Sequence, residues 1–480
     1  RRDAVESLRG KVSEESIALL LKAMKDTSWR VRKAAVDILL DEYQIESYIK
    51  GLIDLLYIED NAVARNSAIE TLTRLDKKAT PFLIEAFKTQ NRDVRKFIID
   101  VLGGFRDRKS LTLMFDALKD EDENVRASAV EHLGKIGEPA VVSALIEILE
   151  SGDLWTAYPA ADALGRIGDK RAVPHLVNAL SIKTLREPVL KALAGFSSPE
   201  TLKQVVPLLA DSSKTIQEEA VKTIKSFYHN GVREGLIADE IKRFFGENAI
   251  DILVPHAWSS KPEVRVAAIL LLGLMKDERA LEHLLELSLE DGVGDDVKRA
   301  LVFTGKDKPE AILPLFEKAN AYQRRFVCAM AGEVAAPIFY EAFEKLMNDE
   351  DGHVRALAAL GIAAIGDTRA IKSVKPLLSD MYTDVQEAAV NALSALRKGL
   401  NADEFIKMLV DKNSSLRKNS ALLLGKIGAM EAVQALGFAL KDENADVRHA
   451  VVKALAMLET DESMRYRILA LTDENPGIRA

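Results

Sequence analysis

Along most of this chain, apolar residues recur at three- and four-residue spacing and almost never alternate with polar ones. Val31, Ala34, Ala35 and Leu39 form one such stretch, and Leu52, Ile53, Leu55 and Leu56 form another before the next begins. This is the spacing of one face of a helix, which turns 100° per residue. The pattern therefore predicts paired amphipathic helices and no strands. A motif marks one helix of each pair: an apolar residue, Arg, any residue, two small residues, then Leu, often followed by Gly. It is read at Val31 (VRKAAVDIL), Val94 (VRKFIIDVLG), Val125 (VRASAVEHLG), Val264 (VRVAAILLLG), Val354 (VRALAALGI), Leu416 (LRKNSALLLG) and Val447 (VRHAVVKAL).

Aligning every copy gives a column of Arg1, Arg32, Arg65, Arg95, Arg126, Ala157, Arg186, Gln217, Arg265, Lys298, Arg324, Arg355, Gln386, Arg417, Arg448 and Arg479. Its members stand about 31 residues apart, one two-helix unit per step, and no such unit can bury its apolar faces alone. The expected fold is all-α: an α-solenoid of about 15 two-helix repeats and about 30 helices, wound as one superhelix. Gly134, Gly137, Gly165, Gly168, Gly366, Gly425 and Gly428 fall late in or just after second helices, where a left-handed terminating residue is expected.

Six residues before the column, Asp recurs as Asp26, Asp120, Asp211, Asp349, Asp380, Asp411, Asp442 and Asp473. That places it in the turn between the two helices, where it can cap the second helix while an Arg from an adjacent repeat reaches it. Arg32, Arg126, Arg355, Arg417 and Arg448, with Asp26, Asp120, Asp349, Asp411 and Asp442, are thus read as a structural ladder, weakest at Ala157, Gln217 and Gln386.

The Arg column, the small pair and strings such as LGKIGEPAVVSALIEIL and LGRIGDKRAVPHLVNAL resemble HEAT repeats, an armadillo-type fold. The resemblance is specifically to the short type found in phycobilisome bilin lyases (PBS lyase HEAT-like). It implies that first helices line the convex side and second helices the concave side, and that the groove receives a protein or peptide. It also implies the alternative of a lyase or chaperone-lyase subunit acting on a chromophore-bearing protein.

The register breaks once, where 48 residues separate Gln217 from Arg265 and only 26 separate Lys298 from Arg324. We read regular repeats over 1–227, an irregular centre over 228–325 with an inserted helix near 235–247, and regular repeats over 326–480. The chain starts at one motif Arg and ends one residue after another, which reads as part of a longer protein.

Counting from the apolar residue before the Arg, positions 0, 3, 4 and 8 are core, so positions 2 and 6 point away from it. Position 6 begins acidic, with Asp37, Glu70, Asp100, Glu131 and Asp162, and turns apolar at Leu270, Phe303, Leu360 and Leu422. Val266 and Leu274 extend the apolar part. The expectation is a negative stripe followed by an exposed apolar patch, suited to a partner with a basic segment and an apolar anchor. Trp155 and Tyr158, in a repeat that lacks its Arg, are a further candidate binding notch.

Composition narrows the chemistry. A formal charge of −8, from 74 acidic and 66 basic residues, supplies no field for a polyanion, so no nucleic-acid partner is expected. The longest apolar run, Val266 to Met275, is half of the roughly 20 residues that cross a bilayer. The one cysteine, Cys328, sits in an apolar segment, consistent with a core position and a cytoplasmic location. None of the seven His precedes a Glu, no Gly-Lys-Ser/Thr phosphate loop occurs, and no Gly-x-Ser-x-Gly elbow is found. The sequence assigns no catalytic, cofactor or metal residues and leaves the oligomeric state open. It reads as a non-enzymatic binding scaffold.

Overall fold

Helical periodicity becomes helical structure throughout. The computed structural model describes residues 1–105 and 107–479. Among them there are no strands, and 32 α-helices are linked by short turns and 3-10 segments. Most second helices run for 14 residues, as in Glu123–Ile136, Leu154–Ile167, Pro262–Met275, Gly352–Ile365, Ser414–Ile427 and Ala445–Leu458. First helices are shorter, commonly seven residues, and several are entered through a 3-10 turn, as at Leu111–Ala117 and Val433–Ala439. No helix of the described residues is long and apolar enough to cross a membrane.

Two compact units divide the chain, Arg1–Phe244 and Phe245–Ala480. The division falls at the last residue of an additional helix, Glu234–Phe245. In each unit the core lies between helices and is built from the positions around the Arg column: Val125, Ala129, Val130 and Leu133 in one repeat, Val447, Ala450, Val451, Ala454 and Leu455 in another, all buried. Cys328 is also core, and burial pushes its thiol up to about 12.

The glycines separate into two roles. Gly137, Gly168, Gly366 and Gly428 end their helices at φ of 72°, 73°, 80° and 72°, where a side chain is strained. Gly134, Gly165 and Gly425 lie inside helices and correct the expectation that they terminate them. A Cβ on Gly134 would stand 2.5 Å from the Ala163 Cβ, and on Gly165 or Gly425 it would stand 2.6 Å from the Cα of Ala192 or Ala454. Adjacent second helices therefore touch nearly backbone to backbone. First helices are held apart by larger groups, the Leu21 side chain at Gly51 and the Tyr466 ring at Gly437.

The ladder is built as paired bonds. The Arg95 guanidinium donates to both carboxylate oxygens of Asp120 at 2.8 and 2.9 Å, and to the carbonyls of Thr89 and Gln90 in its own turn. Arg355 joins Asp380, Arg417 joins Asp442 and Arg448 joins Asp473 in the same way. Arg1 reaches Asp26 and Arg324 reaches Asp349, while Arg126 uses Asp153. Three details correct the sequence reading. Arg32 donates to the Asp26 and Thr27 carbonyls, but no carboxylate pairs with it among the described residues. Among the described residues Asp411 receives no Arg, because Gln386 stands in that rung and its Nε2 donates to the Asp380 carbonyl and the Ser415 hydroxyl. The ladder Asp does not cap the second helix; it accepts the amide of the residue two positions on, and that residue is the cap, as at Asp122, Asn413 and Asn444.

Candidate functional site: the outward face of the second helices

The side of a second helix that points away from the core carries positions 2, 6 and 10, which lie one above another at i, i+4 spacing. The five acids of position 6 are all at least partly accessible, but four of them are already paired. Asp37 accepts from Arg74 at 2.7 Å, Asp100 from Lys96 at 2.7 Å, Glu131 from Lys135 at 2.7 Å, and Asp162 from Arg166. Glu70 is exposed and no ion pair joins it among the described residues. The expected negative stripe is thus mostly neutralised by bases one helical turn away, or on the next helix.

The apolar part is uneven. Leu360 is 41% exposed. Val266, Leu270, Phe303 and Leu422 are half-buried, and Leu274, 2% exposed, is core. Leu274 is therefore removed from the candidate surface: at position 10 it follows Gly273, whose close approach to Ala300 folds that turn against the next helix. Leu360 and Leu422 do not form one patch, because the helix Thr383–Ala395 stands between theirs and presents Asn391, which accepts from Lys426. Trp155 and Tyr158 are both exposed, in the first turns of a helix whose Asp153 cap accepts the Trp155 amide at 3.1 Å. Pro159 follows inside the same helix.

One cluster escaped the sequence reading. Asp100 accepts from Ser128 and faces His132 Nε2 at 3.3 Å, while Nδ1 of the buried His132 has no hydrogen-bond partner among the described residues. Ser128 and His132 lie at positions 3 and 7 of the next helix, so the cluster is a polar inset between two second helices. Gly103 makes room for the ring: a Cβ there would lie 2.0 Å from the imidazole. Both partners converge on the one carboxylate, so His132 does not stand between Ser128 and Asp100 and the arrangement is not a Ser–His–Asp relay. Among the described residues no group of three His, Cys, Asp or Glu is gathered to hold a metal.

Comparison with known families decides the fold's kinship. The family described as HEAT repeats matches residues 1–73, 80–157, 309–394 and 402–480. The chain belongs to the HEAT-repeat family. The PBS lyase HEAT-like repeat matches two further segments of this HEAT-repeat protein, 158–181 and 264–290. No curated protein matches in sequence. Among solved structures it is similar to Kap121p, with 14% identity, a TM-score of 0.53 and coverage of 93% of this chain and 57% of that one. It is similar also to Kap95p in a structure with RanGDP, with 13% identity, a TM-score of 0.52 and coverage of 98% and 79%. The CpcE–CpcF complex of phycocyanin lyase from Nostoc sp. PCC7120 matches at 19% identity over 51% of this chain and 91% of that one, with a TM-score of 0.31. At these identities the fold is what is shared.

The charges of the HEAT ladder make a pH prediction. Burial pushes Asp380 and Asp442 up, but bonds from Arg355 and Arg417 and from backbone amides outweigh it and hold both below the usual carboxylate range. Asp100, against the same burial, is drawn down to about 2 by His132, Lys96 and Ser128. Each folded value lies below the unfolded value near 3.9, so each group's contribution is complete above about pH 4–5 and is lost as pH falls toward the folded value. Chemical denaturation at stepped pH should show a plateau near neutrality and a decline from about pH 4 toward 2. Stability that rose on acidification would contradict the assignment.

Proposed function

We propose that this HEAT-repeat chain is a non-enzymatic protein-binding scaffold, and that a protein or peptide lies along the outward face of its second helices. The observation that carries this reading is Leu360, exposed in the middle of the Gly352–Ile365 helix, with Ala356 half-buried beside it and Ala364 exposed one turn on. That helix offers solvent an apolar surface where a simple structural helix would place charges. Structures of the similar fold of Kap121p have been solved bound to RanGTP, to Pho4p and to Ste12p, which supports reading such a stack as a receiver of proteins.

The test is Leu360→Asp. The change is on an accessible face and should alter stability by no more than about 0.5 kcal/mol. Partners recovered with the unaltered protein from its source cells should fall at least tenfold with the variant at unchanged melting. A large loss of stability, or equal recovery, would overturn the reading.

A second reading, a subunit of a lyase acting on a chromophore-bearing protein, is favoured by the match of 158–181 and 264–290 to the PBS lyase HEAT-like repeat. Incubation with a bilin and its acceptor protein tests it, and absence of bound or transferred chromophore removes it.

A further inference from the structure

The last two long second helices of the chain, Ser414–Ile427 and Ala445–Leu458, are packed side by side through the Gly425–Ala454 approach, where a Cβ on Gly425 would lie 2.6 Å from the Ala454 Cα. Their outward rows read Lys418, Leu422, Lys426 on one and His449, Lys453, Met457 on the other, each at i, i+4, i+8. Because the repeat is 31 residues long here, the two rows lie level with each other. Lys426 and Lys453 are exposed, Met457 is 47% exposed, and Lys418, Leu422 and His449 are half-buried.

Charge on this pair of helices differs from that of the first unit. There, position-6 acids are matched by bases; here, no carboxylate lies within ion-pair distance of the three lysines among the described residues, and Lys426 donates only to the neutral Asn391. The facing acid on the preceding second helix, Glu387, is exposed and not ion-paired with Lys418. Three unpaired ammonium groups therefore frame two accessible apolar side chains, Leu422 and Met457. A thioether and a branched aliphatic side chain offer an adaptable apolar floor, and cations around it select the sign of the partner.

We propose that this surface is a docking site for an acidic peptide segment carrying an apolar anchor, the anchor seated on Leu422 and Met457 and its carboxylates on Lys418, Lys426 and Lys453. The charge is opposite to the basic partner expected from the sequence. The proposal rests on the reading of the second-helix face as the binding face, and it names the partner's chemistry at one end of that face.

The experiment uses the full chain and a labelled peptide of alternating Glu/Asp and Leu/Phe at helical spacing, read by fluorescence anisotropy. Its controls are the same peptide with every acid changed to Lys, and a single-stranded oligonucleotide of equal charge. The acidic peptide should bind at least tenfold tighter than either control, and weaken as salt rises. The combined variant Lys418→Glu, Lys426→Glu, Lys453→Glu should lose at least tenfold while its helical circular dichroism and melting stay those of the parent. Lys412→Glu, in the adjacent turn and off this face, should change nothing. Leu422→Ser supplies an independent arm and should weaken the acidic peptide without altering its salt dependence. Binding of the lysine peptide or the oligonucleotide at equal strength, or indifference to the triple reversal, would overturn the proposal. Should the acidic peptide fail while Leu360→Asp still abolishes partner recovery, the docking site falls and the scaffold reading stands.

Discussion

Replacing Arg95 by alanine should lower the free energy of unfolding by about 3–5 kcal/mol, the cost typical of removing one partner of a buried ion pair. The size follows from what is left behind. Arg95 and Asp120 have side chains only 7% exposed each, so the variant strands a carboxylate that water reaches poorly. It also strands two carbonyls, those of Thr89 and Gln90, that the same guanidinium serves. The Arg95→Ala, Asp120→Ala double variant removes the stranded charge and should recover part of the loss, a coupling that a double-mutant cycle in urea denaturation will read. Because repeats in a stack contact mainly their neighbours, the damage should be local. Hydrogen exchange should quicken first in Arg92–Phe105 and Glu123–Ile136. Arg32→Ala, at a rung without a carboxylate, should cost closer to about 1 kcal/mol, the worth of ordinary hydrogen bonds. Equal losses at Arg95 and Arg32, or a loss below about 1 kcal/mol at Arg95, would sink this account of the ladder.

The repeat, the helices and most of the ladder were legible because each depends on a residue type recurring at a fixed spacing. The interval of 31 makes Arg417 and Asp442 neighbours in any stack of that period, whatever surrounds them. What was not legible depends on the distance between two helices, which no single repeat encodes. Gly134 and Gly137 look alike in sequence three residues apart, yet one permits Ala163 to approach and the other turns the chain at positive φ. Leu274 occupies a position that geometry assigns to the outward face, but the close packing at Gly273 covers it. The acids of position 6 read as a stripe when only that column was followed; their neutralisation by Lys96, Lys135 and Arg166 at i ± 4 was visible in the sequence, on a row that was not paired with it. The cluster of Asp100, Ser128 and His132 joins two repeats across positions 6, 3 and 7, and needed the helix pair to be seen. Gln386 was legible as a weak rung. That it would leave Asp411 without a cation, and engage Asn419 instead, was not.

Gly361→Ala should destabilise the second unit in the parent but not in a Phe343→Leu background, so the double variant should lose less than the sum of the two single losses. Phe343 is fully buried and sits edge-on to Phe316 and Phe339, with ring centroids at 5.7 and 6.4 Å and interplanar angles of 86° and 89°. Such edge-to-face pairs add about 0.5–1.5 kcal/mol each beyond the area they bury, so losing the ring for a leucine should cost about 2–4 kcal/mol once the residual cavity is included. The ring has room only because residue 361 has no side chain. A Cβ there would lie 2.5 Å from both Cε1 and Cζ of Phe343. Gly361→Ala in the parent must push a ring held by two other rings, an overpacking cost of about 1–3 kcal/mol. That outweighs or cancels the gain of about 1 kcal/mol that alanine brings to a helix interior. In the Phe343→Leu background the two clashing atoms are gone, so the propensity gain should emerge and Gly361→Ala should become neutral or stabilising. The measurement is a four-member denaturation cycle, and the decisive quantity is the change in sign of the Gly361→Ala effect between backgrounds. If Gly361→Ala costs the same with leucine at 343 as with phenylalanine, the glycine is there for the backbone of Gly332, whose own missing Cβ would stand 3.3 Å from the Gly361 Cα, and not for the ring.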